Sequence, residues 1–135
     1  HSLFGTGLCN ESQIGVHETK NGDFYKYVIQ PLRIHLPFDL NSEMKLKILD
    51  VACGRSHSIV LTNLGLVTFG HNAYGQCGRP IVENEQYFGN RSVVQNVSKY
   101  IQLDSDDSII SVKAGQDHSC FLTKNGNVLT CGWSS

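Results

Sequence analysis

Residues 51–70, VACGRSHSIVLTNLGLVTFG, are rewritten at residues 112–132 as VKAGQDHSCFLTKNGNVLTCG. The shared Gly-x-x-His-Ser and Leu-Thr elements stand 61 residues apart, from Gly54 to Gly115. A worn third copy, Leu3-Phe4-Gly5, lies 65 residues before its counterpart at Gly70. A period of this kind marks a tandem-repeat protein, so comparing copies separates what builds the scaffold from what is particular to one place.

Within each copy the apolar runs are short. Residues 48–53, 58–62, 66–70, 109–114, 119–123 and 128–132 are rich in Val, Ile, Leu, Thr and Phe and are bounded by Gly or Asn, which predicts three strands joined by tight turns. Asn125-Gly126 suits a two-residue hairpin turn, a register that sets Cys120 opposite Cys131 as a hydrogen-bonded pair. The corresponding Asn63-Leu64-Gly65 is shorter, and a local irregularity is expected there. The polar connections 16–46 and 79–107 hold Pro31, Pro37 and Pro80. Residues 30–34 alternate after a proline that suits an edge, which predicts a fourth strand, with 91–97 as its match. Four strands per unit without helical periodicity is a propeller-blade pattern, though the period exceeds the roughly 40–50 residues of common propeller repeats. The expected fold is all-β: four-stranded antiparallel blades of one propeller domain, divided as 1–15, 16–78 and an incomplete 79–135.

The repeat resembles that of the regulator of chromosome condensation family, whose blades resemble V-x-x-G-x-x-H-S-x-x-L-T-x-x-G-x-V-x-x-x-G-x-N-x-x-G-Q-x-G. Val51, Gly54, His57, Ser58, Leu61, Thr62, Gly65, Gly70, Asn72, Gly75, Gln76 and Gly78 meet the pattern in order, and so do Val112, Gly115, His118, Ser119, Leu122, Thr123, Gly126, Val128 and Gly132. Residues 74–87, YGQCGRPIVENEQY, with ACGRSHS and AGQDHS, resemble the mitochondrial branch of that family. The resemblance implies a seven-bladed ring, of which just over two blades are present. It also implies a non-enzymatic platform in the mitochondrial matrix or at the inner membrane, held there peripherally. Its implied role is in large ribosomal subunit biogenesis, through assembly proteins and ribosomal RNA. The wider family implies an alternative, guanine nucleotide exchange on a small or dynamin-like GTPase. Because two blades cannot close a ring, the chain is expected to be a piece completed by missing blades.

Composition bounds these readings. The 135 residues are 40% hydrophobic and 17% charged, a soluble globular balance. Eleven basic against twelve acidic residues leave a net charge of −1, so no overall field favours nucleic acid or anionic membrane. No apolar run approaches the roughly 18 residues of a spanning helix. The start, His1-Ser2-Leu3, has neither an initiator Met nor a presequence pattern, and the chain is expected to begin within a longer or processed protein. The odd set Cys9, Cys53, Cys77, Cys120 and Cys131, without a Cys-x-x-Cys pair, reads as buried thiols of a reducing compartment. The glycosylation-type triplets at Asn10, Asn90 and Asn96 are expected to be unused, there being no secretory signal.

Gly54-Arg55-Ser56-His57-Ser58 invites a nucleophile reading, but its copy has Asp117 in place of Ser56, and neither has the closing glycine of a nucleophile elbow. A pair needed by every blade is scaffold, so His57, Ser58, His118 and Ser119 are expected to make local hydrogen bonds where a strand begins. Gly54, Gly70, Gly75, Gly78, Gly115 and Gly132 are assigned to blade building, and Phe4 and Phe69 to blade core. Cys53 and His57 lack further ligands at zinc spacing, and Gly5-Thr6-Gly7 lacks the lysine of a phosphate loop, so neither metal nor cofactor is expected. Partner recognition is then assigned to residues the repeat does not explain: Arg55, His71, Arg79, Glu83, Glu85, Tyr87, Arg91 and Lys99.

Overall fold

The computed structural model describes residues 1–39 and 44–134. Their strands form three antiparallel sheets. The first pairs β1 (Leu3–Leu8) with β2 (Tyr27–Ile34). The second runs β3 (Ile48–Cys53), β4 (His57–Thr62), β5 (Gly65–Gly70), β6 (Gln95–Asn96), and the third runs β7 (Ile109–Ala114), β8 (His118–Thr123), β9 (Val128–Gly132). The β-branched runs thus form the strands that their periodicity predicts, and the all-β expectation holds.

The proline strand pairs back onto β1 and closes the preceding sheet, not the unit that follows it. Pro31 lies where the register slips between Gly5 and Gly7, a place where a missing N–H leaves no gap in the ladder. Residues 91–97 give only a two-residue strand after a 3-10 helix, Arg91–Val93, capped by the Asn90 side chain. The expected irregularity at Asn63-Leu64 does not arise, since β4 and β5 stay in register through Thr62 and Gly65. Both copies instead bulge in their first strand, between Ile48 and Asp50 and between Ile109 and Ser111.

The second hairpin corrects the cysteine pairing. Gly126 N–H bonds the Thr123 carbonyl at 3.0 Å, with Gly126 at φ +88°, and Thr123 N–H bonds Asn127 O at 2.9 Å. This is a three-residue loop with the glycine in the left-handed region, so Cys120 faces Thr130 and Ser119 faces Cys131. Nor are the thiols all buried: Cys9 and Cys77 are, in loops, whereas Cys53 is exposed and Cys120 and Cys131 are half-buried. All five are free. Burial pushes the Cys77 thiol up to about 12. At pH 7.5 Cys77 therefore stays a protonated thiol, not the nucleophilic thiolate. An alkylating reagent is expected to modify Cys53 within minutes and Cys77 only on unfolding, as intact mass and peptide mapping would show.

The middle sheet is covered on both faces, and all six residues of β4 are buried. Ile34, Val60, Val67, Phe69 and Val93 join the first and second sheets, while Ile59, Leu61, Leu66, Val97, Val112 and Phe121 join the second and third. Each such side chain contributes roughly 1.5–3 kcal/mol by leaving water. Phe69 conforms to its core assignment. Phe4 does not: it is 58% exposed, while Leu3 packs against the core between the first and second sheets.

Of the recurring His and Ser residues, His57, Ser58 and Ser119 bond between sheets rather than locally, whereas His118 is exposed. Ser58 Oγ donates to the Gln13 carbonyl and Ser119 Oγ to the Gln76 carbonyl, each at 2.5 Å and each in the loop of the preceding sheet. Since the Ser119 proton is committed to that carbonyl, the 3.0 Å contact with His57 Nε2 makes the imidazole the donor. Nδ1 is then bare and lies against Gly54 with no partner among the described residues. A buried serine whose proton faces a carbonyl is no nucleophile. Asp50 adds a further tie, accepting Val112 N–H at 3.0 Å and Ser111 Oγ–H at 3.2 Å from the third sheet.

Burial holds the His57 imidazole below its ordinary value, although the Asp117 carboxylate pulls the other way. The unfolded chain therefore takes up a proton near pH 6.5 that the folded one resists, so stability is full above that pH and falls as the medium is acidified. Its slope cannot exceed about 1.4 kcal/mol per pH unit for this group. Asp50, lowered by the Val112 N–H, acts in a separate window below about pH 4. Urea titrations between pH 7.5 and 5.5 are expected to show this loss, and His57→Gln, which keeps a donor but cannot titrate, is expected to flatten it.

Candidate functional site: the loop end of the sheets

The strand order brings one set of connections to a common end. There β1 leads into loop 9–26, β5 into loop 71–94 and β9 into Trp133, beside the β3–β4 and β7–β8 turns. Side chains knit these loops together. Ser12, buried at φ +54°, donates to Tyr87 O at 2.6 Å and accepts Gly89 N–H at 3.1 Å, and Phe24 packs edge-on against Phe88.

Loop 71–94 is fixed from within. Fully buried Asn72 accepts Cys77 N–H at 3.0 Å and donates to the carbonyls of Arg79 and Pro80, both at 3.2 Å. Gln76, also fully buried, accepts Tyr74 N–H at 2.9 Å and donates to His71 Nδ1 at 3.0 Å. Arg79 and Glu85 then pair at 3.0 Å with side chains 3% and 9% exposed.

Of the residues assigned to recognition, Arg55, His71, Arg79, Glu83, Glu85, Tyr87 and Arg91 come together at this end. Lys99 lies at the opposite end, its ammonium 5.0 Å from the Tyr100 ring centre. Arg55 bonds Asp117 of the third sheet at 2.8 Å, and Arg91 pairs with Glu18 of loop 9–26. Each arginine of this end therefore already faces a carboxylate of the same chain. His71 sits between Tyr74, at 5.8 Å, and Tyr87, at 4.9 Å, and Tyr74 in turn meets Trp133 at 4.9 Å. Glu83 stays exposed at the loop tip.

Sequence reasoning missed Ser12, Trp133 and the exposed pair Ile81 and Val82. Asn72 and Gln76 were legible as repeat positions but not as the residues that hold the loop, for which the signal was their fixed spacing from Gly75 and Gly78. Among the described residues no helix is long and apolar enough to cross a membrane.

Residues 48–76 and 109–135 match the regulator of chromosome condensation (RCC1) repeat. Over 136 aligned residues the chain is 41% identical to the human RCC1-like G exchanging factor-like protein, covering 98% of this chain and 28% of that one. The chain belongs to the regulator of chromosome condensation repeat family. Within that family the crystal structure of human WBSCR16 superposes with a TM-score of 0.80 at 41% identity, covering 96% of this chain and 30% of the other. Yeast RCC1 (Prp20), solved bound to Kap60, shares the fold at a TM-score of 0.65 and 24% identity, over 97% of this chain and 25% of that one. The chain thus spans under a third of the length of these relatives, and its sheets are blades of their β-propeller.

Proposed function

We propose that the chain is part of a non-enzymatic propeller platform whose loop end holds a protein partner. The observation that carries this reading is the pairing of Arg55, Arg79 and Arg91 with Asp117, Glu85 and Glu18 on an end that also exposes apolar side chains. Phosphate contacts draw chiefly on free arginines and lysines, and among the described residues of this end's loops only Lys20 and Lys26, in loop 9–26, lack an ion pair, whereas a protein surface tolerates a rigid, partly apolar face whose arginines are already paired. In large ribosomal subunit biogenesis at the matrix side of the mitochondrial inner membrane, the role the sequence resemblance implies, contact with assembly proteins is favoured over ribosomal RNA. The test is co-sedimentation of the intact protein with pre-ribosomal particles as salt is raised. A contact through six to ten phosphates weakens by about 10³–10⁵ between 50 and 200 mM salt. Protein contact is expected to persist. Absence from such particles at every salt ends the ribosomal reading.

A second reading, guanine nucleotide exchange, is favoured by the name of the human relative, a G exchanging factor-like protein. The platform would bind the nucleotide-free GTPase better than the loaded form and shift that equilibrium. Release of labelled GDP from small and dynamin-like GTPases measures it, and no acceleration by the intact protein removes this reading.

A further inference from the structure

We infer that the tip of loop 79–85 is the element that enters the partner, inserting Ile81 and Val82 into an apolar cleft edged by a lysine or arginine that receives Glu83. The inference rests on the platform reading above and narrows it to one element and one kind of partner surface.

Two aliphatic side chains lead into the turn at the tip, whose central residues are Glu83 and Asn84. The opposite-end turns are Asn63-Leu64, with Leu64 half-buried, and Lys124-Asn125-Gly126. Here two consecutive aliphatics stand out, Ile81 59% and Val82 54% exposed, with Glu83 beside them and without an ion-pair partner among the described residues. Leaving both in water costs the free energy that burial in a partner would return.

The tip is also held in advance. Glu85 N–H closes the turn onto Val82 O at 3.3 Å, through Asn84 at φ +60°. Asn tolerates that left-handed conformation better than other non-glycine residues. Below the turn, the buried Arg79–Glu85 pair and the two Asn72 bonds clamp both sides of the base. An element fixed in this way loses little entropy on insertion, the condition under which two side chains carry much of an interface. Glu83 supplies, beside the two aliphatics, a charge that Glu85, Glu18 and Asp117 have already spent on arginines, which is why the cleft should carry a cation at its edge.

The test places a benzophenone amino acid at position 82 of the intact protein in cells, with a second at position 25 in loop 9–26 and a third at Lys124 at the far end. Position 82 is expected to crosslink one other protein, the photoproduct mapping to an apolar cleft with a neighbouring Lys or Arg. With that protein purified, Ile81→Ser with Val82→Ser is expected to weaken binding by at least ~30-fold, and Glu83→Lys by ~10-fold, with melting unchanged because all three side chains are exposed. A crosslink from 25 but not 82, or binding unaffected by the double substitution, overturns the inference and leaves the platform standing. A crosslink from 82 into the same polypeptide also overturns it, showing the tip covered by its own chain. Silence from both 25 and 82 removes the platform reading as well.

Discussion

Gly54→Ala is expected to destabilise the chain by roughly 3–5 kcal/mol, adding the cost of overpacking to that of a buried donor left unpaired. The new methyl would fall inside the His57 ring, well under van der Waals contact, and 2.7 Å from the Gly115 carbonyl of the next sheet. His57 is buried and cannot swing away without abandoning Ser119, while the carbonyl belongs to backbone. Gly115→Ala is the control. The three heavy atoms nearest its methyl all belong to the His118 ring, and that residue is exposed and free to turn, so the expected cost is about 1 kcal/mol or less. Adding His57→Ala to Gly54→Ala removes the collision with the ring, and the double variant is expected to be at least about 1 kcal/mol more stable than the two single losses added together. Urea unfolding of the four proteins measures the cycle. Equal costs for the two glycines would show that the His57–Ser119 contact does not hold the sheets together.

Arg79→Met is expected to cost about 3–5 kcal/mol at the base of the loop, the penalty of stranding one member of a buried pair. Glu85→Leu is expected to be worse. Glu85 can shed its charge by taking a proton, but a guanidinium cannot lose one, and Nε and Nη2 of Arg79 already lack partners among the described residues. Replacing both with Arg79→Met and Glu85→Leu removes charge and counter-charge together and is expected to return stability to within about 1 kcal/mol of the parent. Limited proteolysis reads the local effect: single variants should be cut between residues 80 and 84, and the double variant should resist. An unchanged cleavage pattern in the single variants would show that the pair does not hold the loop.

The blade strands were legible because alternation and β-branched content are local properties, and six of them appear where the apolar runs predict. The register of the second hairpin was not. Asn125-Gly126 is compatible with both a two-residue and a three-residue loop, and the choice between them moved Cys120 from Cys131 to Thr130. Phe4 shows a similar limit, since alternation places Leu3 and Phe4 on opposite faces without saying which face is covered. For the candidate site, the non-repeating residues were the right stretch to search, and most of them gather at one end. Sequence could not show that Arg79 and Glu85 face inward, because two charges six residues apart can equally be a solvated pair or a buried clamp.

What the sequence determined by itself was the repeat, and with it the strands, the family and the separation of scaffold from loop, all of which follow from periodicity and spacing along the chain. Only the tertiary structure decided what the repeated His and Ser do. Three of the four bond across sheets, His57 to Ser119 and each serine to a glutamine carbonyl of the preceding blade, while His118 is exposed. A residue's partner 43 to 62 positions away is fixed by how sheets stack, and stacking is a property of buried surfaces in three dimensions that no local pattern encodes.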